Sequence, residues 1–290
     1  MLIRVLPSAI AVCLACVSCD ILPGNAPVTH EPPAASGMAW IHAQGKAFLQ
    51  GSASAIAPPE EKPAVRLGFT YDFQIDTVEV TRAGYRALMG RDPSSRVAKD
   101  GNDYPVRDLS WFDAILFCNA RSREAGFDTV YAYTRAVYSV DGSAYAIPDL
   151  SVRLAVRGYR LPTEAEWAFA AQAGSDEAYP WGATTDSAFV ARYAWFEGNS
   201  GGGPHPVGRL SRNGFGLHDM AGNVMEWVQD WYQAYPGAPQ AYPEFGTTHK
   251  VVRGGAYGSG EALFRTDYRC LSYPGSRSEW IGFRCAKNAP

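Results

Sequence analysis

Asn213-Gly-Phe-Gly-Leu-His-Asp-Met-Ala-Gly-Asn-Val-Met-Glu-Trp227 is the stretch of this 290-residue chain whose reading decides the rest. It has neither the 3.6-residue period of an amphipathic helix nor the strict alternation of a half-buried strand. Gly214, Gly216 and Gly222 break it, and His218, Asp219, Asn223, Glu226 and the following Asp230 make it rich in polar side chains. Its spacing is not that of an EF-hand loop. A turn offering Asn and Glu oxygens together with backbone carbonyls can hold Ca²⁺, a hard cation satisfied by about six to eight oxygens. The same oxygens can equally tie a turn together through side-chain hydrogen bonds.

Outward from this stretch, three helices carry start signals. Thr81 is an N-cap for a segment with Tyr85, Leu88 and Met89 on one stripe and Gly90 as terminator. Ser110 and Asp113 form a capping pair ahead of Phe112, Ile115, Leu116 and Ala120, up to Gly126. Thr163 and Glu166 form a capping box, with Trp167 and Ala170 facing inward until Gly174. Short strands are expected at 38–41, 73–79, 250–253 and 280–284, and the Pro-rich segment 57–63 reads as a surface loop between two early strands. The pattern is neither a βαβ alternation nor a sandwich. It predicts one α+β domain over residues 37–290, with little regular structure, folded around buried Trp and Tyr.

Composition agrees. Hydrophobic residues reach 47% and charged residues 19%, which excludes disorder for the bulk of the chain. The net charge of −3 and the sequence pI near 6.0 argue against a nucleic-acid binder. The six cysteines fall into two groups, Cys13, Cys16 and Cys19 at the N-terminus and Cys118, Cys270 and Cys285 downstream. Residues 1–18, with Arg4, an apolar run and Ser18, read as a secretory signal too short to span a membrane. Ser18-Cys19 resembles a bacterial lipobox, making Cys19 the lipidated residue, although Cys16 stands where that signal class usually has Leu. Cleavage before Cys16 and an ordinary cleaved signal are the alternatives. Residues 19–36 would then be the lipidated Cys and a Pro/Ala-rich tether. This places the protein in a bacterial cell envelope, held to the inner or outer membrane by its lipids. The downstream cysteines would lie in a disulfide-permissive compartment.

Other chemistries fail on spacing. There is no Gly-x-Ser-x-Gly elbow and no His-Glu-x-x-His site, the five histidines (30, 42, 205, 218, 249) are scattered, and Gly201-Gly202-Gly203 lacks the Gly-Lys-Ser/Thr of a phosphate loop.

Four blocks, in order, resemble the formylglycine-generating enzyme family, the sulfatase-modifying-factor domain. They are Phe73-Gln-Ile-Asp-Thr-Val-Glu-Val-Thr-Arg-Ala-Gly-Tyr85, Pro105-Val-Arg-Asp-Leu-Ser-Trp-Phe-Asp-Ala-Ile-Leu-Phe-Cys-Asn119, Tyr159-Arg-Leu-Pro-Thr-Glu-Ala-Glu-Trp167 with Tyr179-Pro-Trp-Gly182, and the opening stretch with Val251-Val-Arg-Gly-Gly-Ala-Tyr257 and Gly282-Phe-Arg-Cys285. The resemblance implies a single C-type-lectin-like α+β domain with sparse secondary structure. It also implies oxidation of a sulfatase cysteine by Cu(I) and O₂, the copper being held by two cysteines after a Gly-Gly-Ser-Tyr segment. Here Ser259 stands at the first of those positions, Leu263 or Phe264 at the second, and Ala256 replaces the serine. Copper is therefore not expected, because Cu(I) prefers soft thiolates.

The same resemblance implies a Cys118–Cys285 disulfide, and leaves Cys270 without its usual partner because Ala171 stands there. It implies a structural Ca²⁺ at Asn223, Val224 and Glu226. A concave surface lined by Trp195, Trp231 and Tyr257 would take a peptide, protein or glycan of the envelope. The function expected is a non-catalytic binding or accessory lipoprotein facing the periplasm. The alternative is a formylglycine-generating oxidase or a related metal-dependent oxidoreductase acting on a protein cysteine.

Overall fold

The computed structural model describes residues 37–96, 100–238 and 243–290, so the leader, Cys19 and the tether lie outside it. In chain order the elements are β1 (Met38–Ile41), β2 (Ala47–Gln50), β3 (Val65–Gly68), β4 (Phe73–Asp76), α1 (Arg82–Met89), α2 (Trp111–Glu124), β5 (Tyr131–Ala132), β6 (Val137–Tyr138), β7 (Ala144–Ala146), β8 (Ser151–Val152), α3 (Glu164–Gln172), α4 (Ser187–Val190), β9 (Met225–Trp231), β10 (Lys250–Arg253), β11 (Cys270–Ser272), β12 (Ile281–Gly282) and β13 (Ala286–Asn288). They form one α+β domain in which long irregular segments join short strands. No described helix is long and apolar enough to cross a membrane.

The helix starts follow the side-chain chemistry that predicts them. Thr81 accepts from Gly84 N, and α1 stops at Gly90, whose φ of 68° is the left-handed conformation glycine adopts cheaply. Ser110 Oγ accepts from Asp113 N at 2.9 Å, and Asp113 Oδ2 accepts from Ser110 N at 3.2 Å, opening α2. Thr163 and Glu166 close the same box at the start of α3. Ser110 Oγ also donates to Ala144 O, fixing α2 against β7. Ser110→Ala is expected to lower stability by about 1–2 kcal/mol, the upper part of the range for a lost N-cap. Urea unfolding with an unchanged m-value would measure it.

A three-stranded sheet has the order β1-β4-β13 and a four-stranded sheet the order β11-β10-β9-β12, with β12 parallel to β9. The strand expected over 73–79 ends at Asp76. There Asp76 Oδ2 accepts from Arg121 Nη1 and from Cys285 N, and Thr77 N turns to Gly37 O. The strand expected over 280–284 shrinks to Ile281–Gly282. A Cβ on Gly282 would lie 2.5 Å from Val106 O, so only glycine lets the two backbones meet.

Three aromatic-rich clusters make the core. α2 and Phe283 meet around Trp111, Phe117 and Trp227, α3 packs Trp167 and Phe169 against Phe48, Phe69 and Phe73, and Tyr179, Phe196 and Phe264 form the third. The loop read as surface at 57–63 does join β2 to β3. It also sends Glu61 inward, where both carboxylate oxygens accept from Arg265 Nη2.

Candidate functional site

The segment aligned with the family's copper loop is a packed turn. Ser259 Oγ accepts from Ala256 N at 2.9 Å, and Ser259 N donates to Ala256 O at 2.8 Å. Ala256 is fully buried and Phe264 is 1% exposed, within edge-to-face reach of Trp181 and Phe196. Leu263 N closes the adjoining 3₁₀ turn on Gly260 O. Neither Leu263 nor Phe264 carries a metal-binding atom, and the Ser259 hydroxyl is engaged within its own turn. The described thiols, Cys118, Cys270 and Cys285, lie elsewhere.

Asn223 knits this loop to its neighbours. Its N donates to Trp195 O, its O accepts from Tyr257 N, its Oδ1 accepts from His205 N, and its Nδ2 donates to Glu79 Oε2. A Cβ on Gly222, at φ 74°, would meet Trp195 O at 2.2 Å. Trp195 stacks on His205 with ring centroids 3.7 Å apart, and Tyr257 stacks on Trp280 at 4.3 Å. The backbones of Trp195 and Tyr257 thus both meet Asn223, while the Tyr257 side chain is 4% exposed and presents little surface.

Trp231 does not join them. It stands at the far end of β9, whose seven residues span roughly 23 Å at ~3.3 Å each. The single groove expected from Trp195, Trp231 and Tyr257 is corrected to two separate aromatic places. Trp231 lines a cavity with Trp111 and Lys250 on the other side of the strand's run.

The expected calcium residues are also differently engaged. Glu226 is 1% exposed, and both its oxygens accept from Arg284, Nε at 2.9 and 2.8 Å and Nη2 at 2.7 Å. Glu226 Oε2 further accepts from Trp167 Nε1 at 2.8 Å. With Asn223 Oδ1 and both Glu226 oxygens occupied by protein donors, this donor set does not fit a calcium ion. Among the described residues no three His, Cys, Asp or Glu side chains are gathered to hold a metal.

Two carboxylates absent from the expected set lie beside Glu226. Glu79 Oε1 and Asp219 Oδ1 are buried without a hydrogen-bond partner. Burial first, and then the charges of Asp219 and Glu226, push Glu79 well above the usual carboxylate range. Burial likewise raises Asp219, against the pull of Gly208 N. Glu79 is therefore the member of the trio best able to keep its proton at neutral pH, which spares the core a third negative charge beside one arginine.

The expected Cys118–Cys285 bridge appears as two thiols, fully buried, with sulfurs 3.7 Å apart. The structure thus brings the pair together and holds it unbonded. Cys270 is partly buried, with its sulfur turned to Leu271 O.

Comparison with known proteins agrees with the packing. Residues 26–289 match the family described as "Sulfatase-modifying factor enzyme 1-like domain". The "Chaperone protein LppX" of Paenibacillus barcinonensis is 29% identical over 225 residues, covering 70% of this chain and 74% of that one. The "Formylglycine-generating enzyme" of Thermomonospora curvata is 36% identical over 150 residues, 44% of this chain and 49% of that enzyme. The match thus spans about half the length of that relative. Among solved structures, "Treponema denticola variable protein 1" superposes with a TM-score of 0.72 at 29% identity, over 87% of this chain and 95% of that one. From its four sequence blocks, its sparse α+β architecture and the match over residues 26–289, the chain belongs to the sulfatase-modifying factor family, that of the formylglycine-generating enzymes.

Proposed function

We propose that this protein is a lipid-anchored, periplasm-facing binding or accessory protein that uses the family fold without copper chemistry. One observation carries this reading. The positions aligned with the copper-binding cysteines are Ser259 and either Leu263 or Phe264, and they belong to a closed turn and a hydrophobic cluster. A hydroxyl engaged with Ala256 N and a buried hydrocarbon cannot replace two thiolates. A relative named as a chaperone supports an accessory role over an oxidase. The partner classes that suit the reading are a peptide, protein or glycan of the envelope, with the Ser18-Cys19 sequence supplying the membrane anchor.

Copper reconstitution followed by assay on a peptide carrying a sulfatase cysteine motif tests it. No formylglycine above the metal-free control is expected, and no stoichiometric copper by elemental analysis. Sustained turnover would establish the oxidase reading, which the formylglycine-generating relative favours.

A further inference from the structure

A cavity of about 780 Å³ opens between α2, α3, β9 and β10 and takes no part in the loop at 254–264. That volume falls within the roughly 300–1,000 Å³ of small-molecule sites. Leu67, Ile147 and Leu150 contribute to an apolar wall. Trp231, 39% exposed, stands at its solvent side.

Lys250 lines this cavity and is only 2% exposed. Its Nζ lies 4.1 Å from the ring centroid of Trp111 and 3.7 Å from that of Trp231, and donates to Gln229 O at 2.8 Å. The two rings and the carbonyl fix the position of the amine. No carboxylate among the described residues lies within ion-pair distance of it. A lysine buried without a paired carboxylate is a poor structural choice, and it is the arrangement by which lysine amines become nucleophiles. Burial brings Lys250 down to about 7 against the opposing charge of Asp230, and burial raises Asp230 to about 6. The buried amine thus gives up its proton more readily than a surface lysine, and Asp230 keeps its proton more readily than an exposed carboxylate.

We propose that Lys250 captures a small aldehyde-bearing molecule as a reversible imine, with the aryl or alkyl body of the ligand lying against Trp231 and the apolar wall. The Nζ lone pair attacks the carbonyl carbon, the C–O π pair moves onto oxygen, and the proton that nitrogen loses is taken up by that oxygen to give the carbinolamine hydroxyl. Asp230 supplies a proton to that hydroxyl, which leaves as water as the C=N bond forms, and the resulting iminium nitrogen returns a proton to the Asp230 carboxylate. No electrons are transferred to or from the protein, and addition of water returns amine and aldehyde. The inference does not depend on the copper assay, since no residue of the 254–264 loop takes part.

The test uses the full folded protein at pH 7 with benzaldehyde and, separately, hexanal. Borohydride then fixes any imine as a secondary amine, and peptide mass spectrometry locates it. Despite its burial, Lys250 is expected to be labelled at least about tenfold faster than the exposed Lys46, because desolvation lowers the proton affinity of its amine. Lys250→Arg should lose that label and keep the slow background. Site mapping on the unaltered chain needs no variant to fold. Labelling no faster at Lys250 than at Lys46 would overturn the proposal and leave Lys250 as a cation held between two tryptophans.

Discussion

Arg284→Met is expected to lower the melting temperature by on the order of 10 °C, or to leave too little folded protein to purify. Arg284 is completely buried and is the only hydrogen-bonded cation given to Glu226 among the described residues. It donates three hydrogen bonds to that carboxylate and three more to Asp76 O, His218 O and Asp219 O. Removing it leaves the Glu226 carboxylate without its cation in the core, with Asp219 buried beside it. Breaking one side of a buried pair costs about 3–5 kcal/mol, because the remaining charge stays desolvated. For a domain of this size each kcal/mol corresponds to roughly 2–4 °C.

Glu226→Leu in the same chain should recover part of the loss, since it removes the stranded charge. A double variant more stable than the sum of the two single changes would show that the pair acts as a unit. An Arg284→Met protein melting within about 2 °C of the parent would refute the assignment of Arg284 as the cation that neutralises this core.

The same core shows what could be read before the structure. Ser110, Thr163 and Thr81 act within three residues of themselves, so their caps were legible as local chemistry. β9 was not, because Glu226, Trp227 and Val228 are all buried and the strand has no alternating polar face. β10 is buried at all four positions although it begins with Lys250 and ends with Arg253, residues that look like surface in a sequence. The burial of Lys250 depends on Trp111, well over a hundred positions earlier in the chain, and on the partner strand's Trp231. The aromatic groove failed for a related reason. Trp195, Trp231 and Tyr257 were placed together by the resemblance, while the length of β9 separates Trp231 from the other two. The residues aligned with the copper cysteines, Ser259 and Leu263 or Phe264, were legible in the sequence through the resemblance. What the structure adds is that the turn closes on itself.

If the chain is exported as proposed, it is expected to carry a Cys118–Cys285 disulfide, although the two sulfurs stand here as neighbouring thiols at 3.7 Å. A bond requires about 2.05 Å between sulfurs, so a modest side-chain adjustment is needed. The adjustment brings a large return, because 167 positions separate the two residues. In the chain-entropy view a loop of that length stabilises by up to about 5 kcal/mol, less any strain. Timing matters more than geometry. Burial, and then the hydrogen bond with Cys285, hold the Cys118 thiol well above its ordinary range, so folded Cys118 is a poor nucleophile. Once both thiols are fully buried, oxidants have no path to them. Under the proposed export, the bridge must therefore form during folding in an oxidising compartment rather than afterwards.

Two preparations separate these steps. Protein secreted by its own leader should give a linked 118–285 peptide in an unreduced digest, with Cys270 alone alkylating in denaturant. Protein made in a reducing cytosol should keep two thiols that resist alkylation while folded, and should melt lower by on the order of 10 °C. Complete alkylation of Cys118 and Cys285 in denatured, unreduced, secreted protein would show that the fold relies on the packed thiols alone.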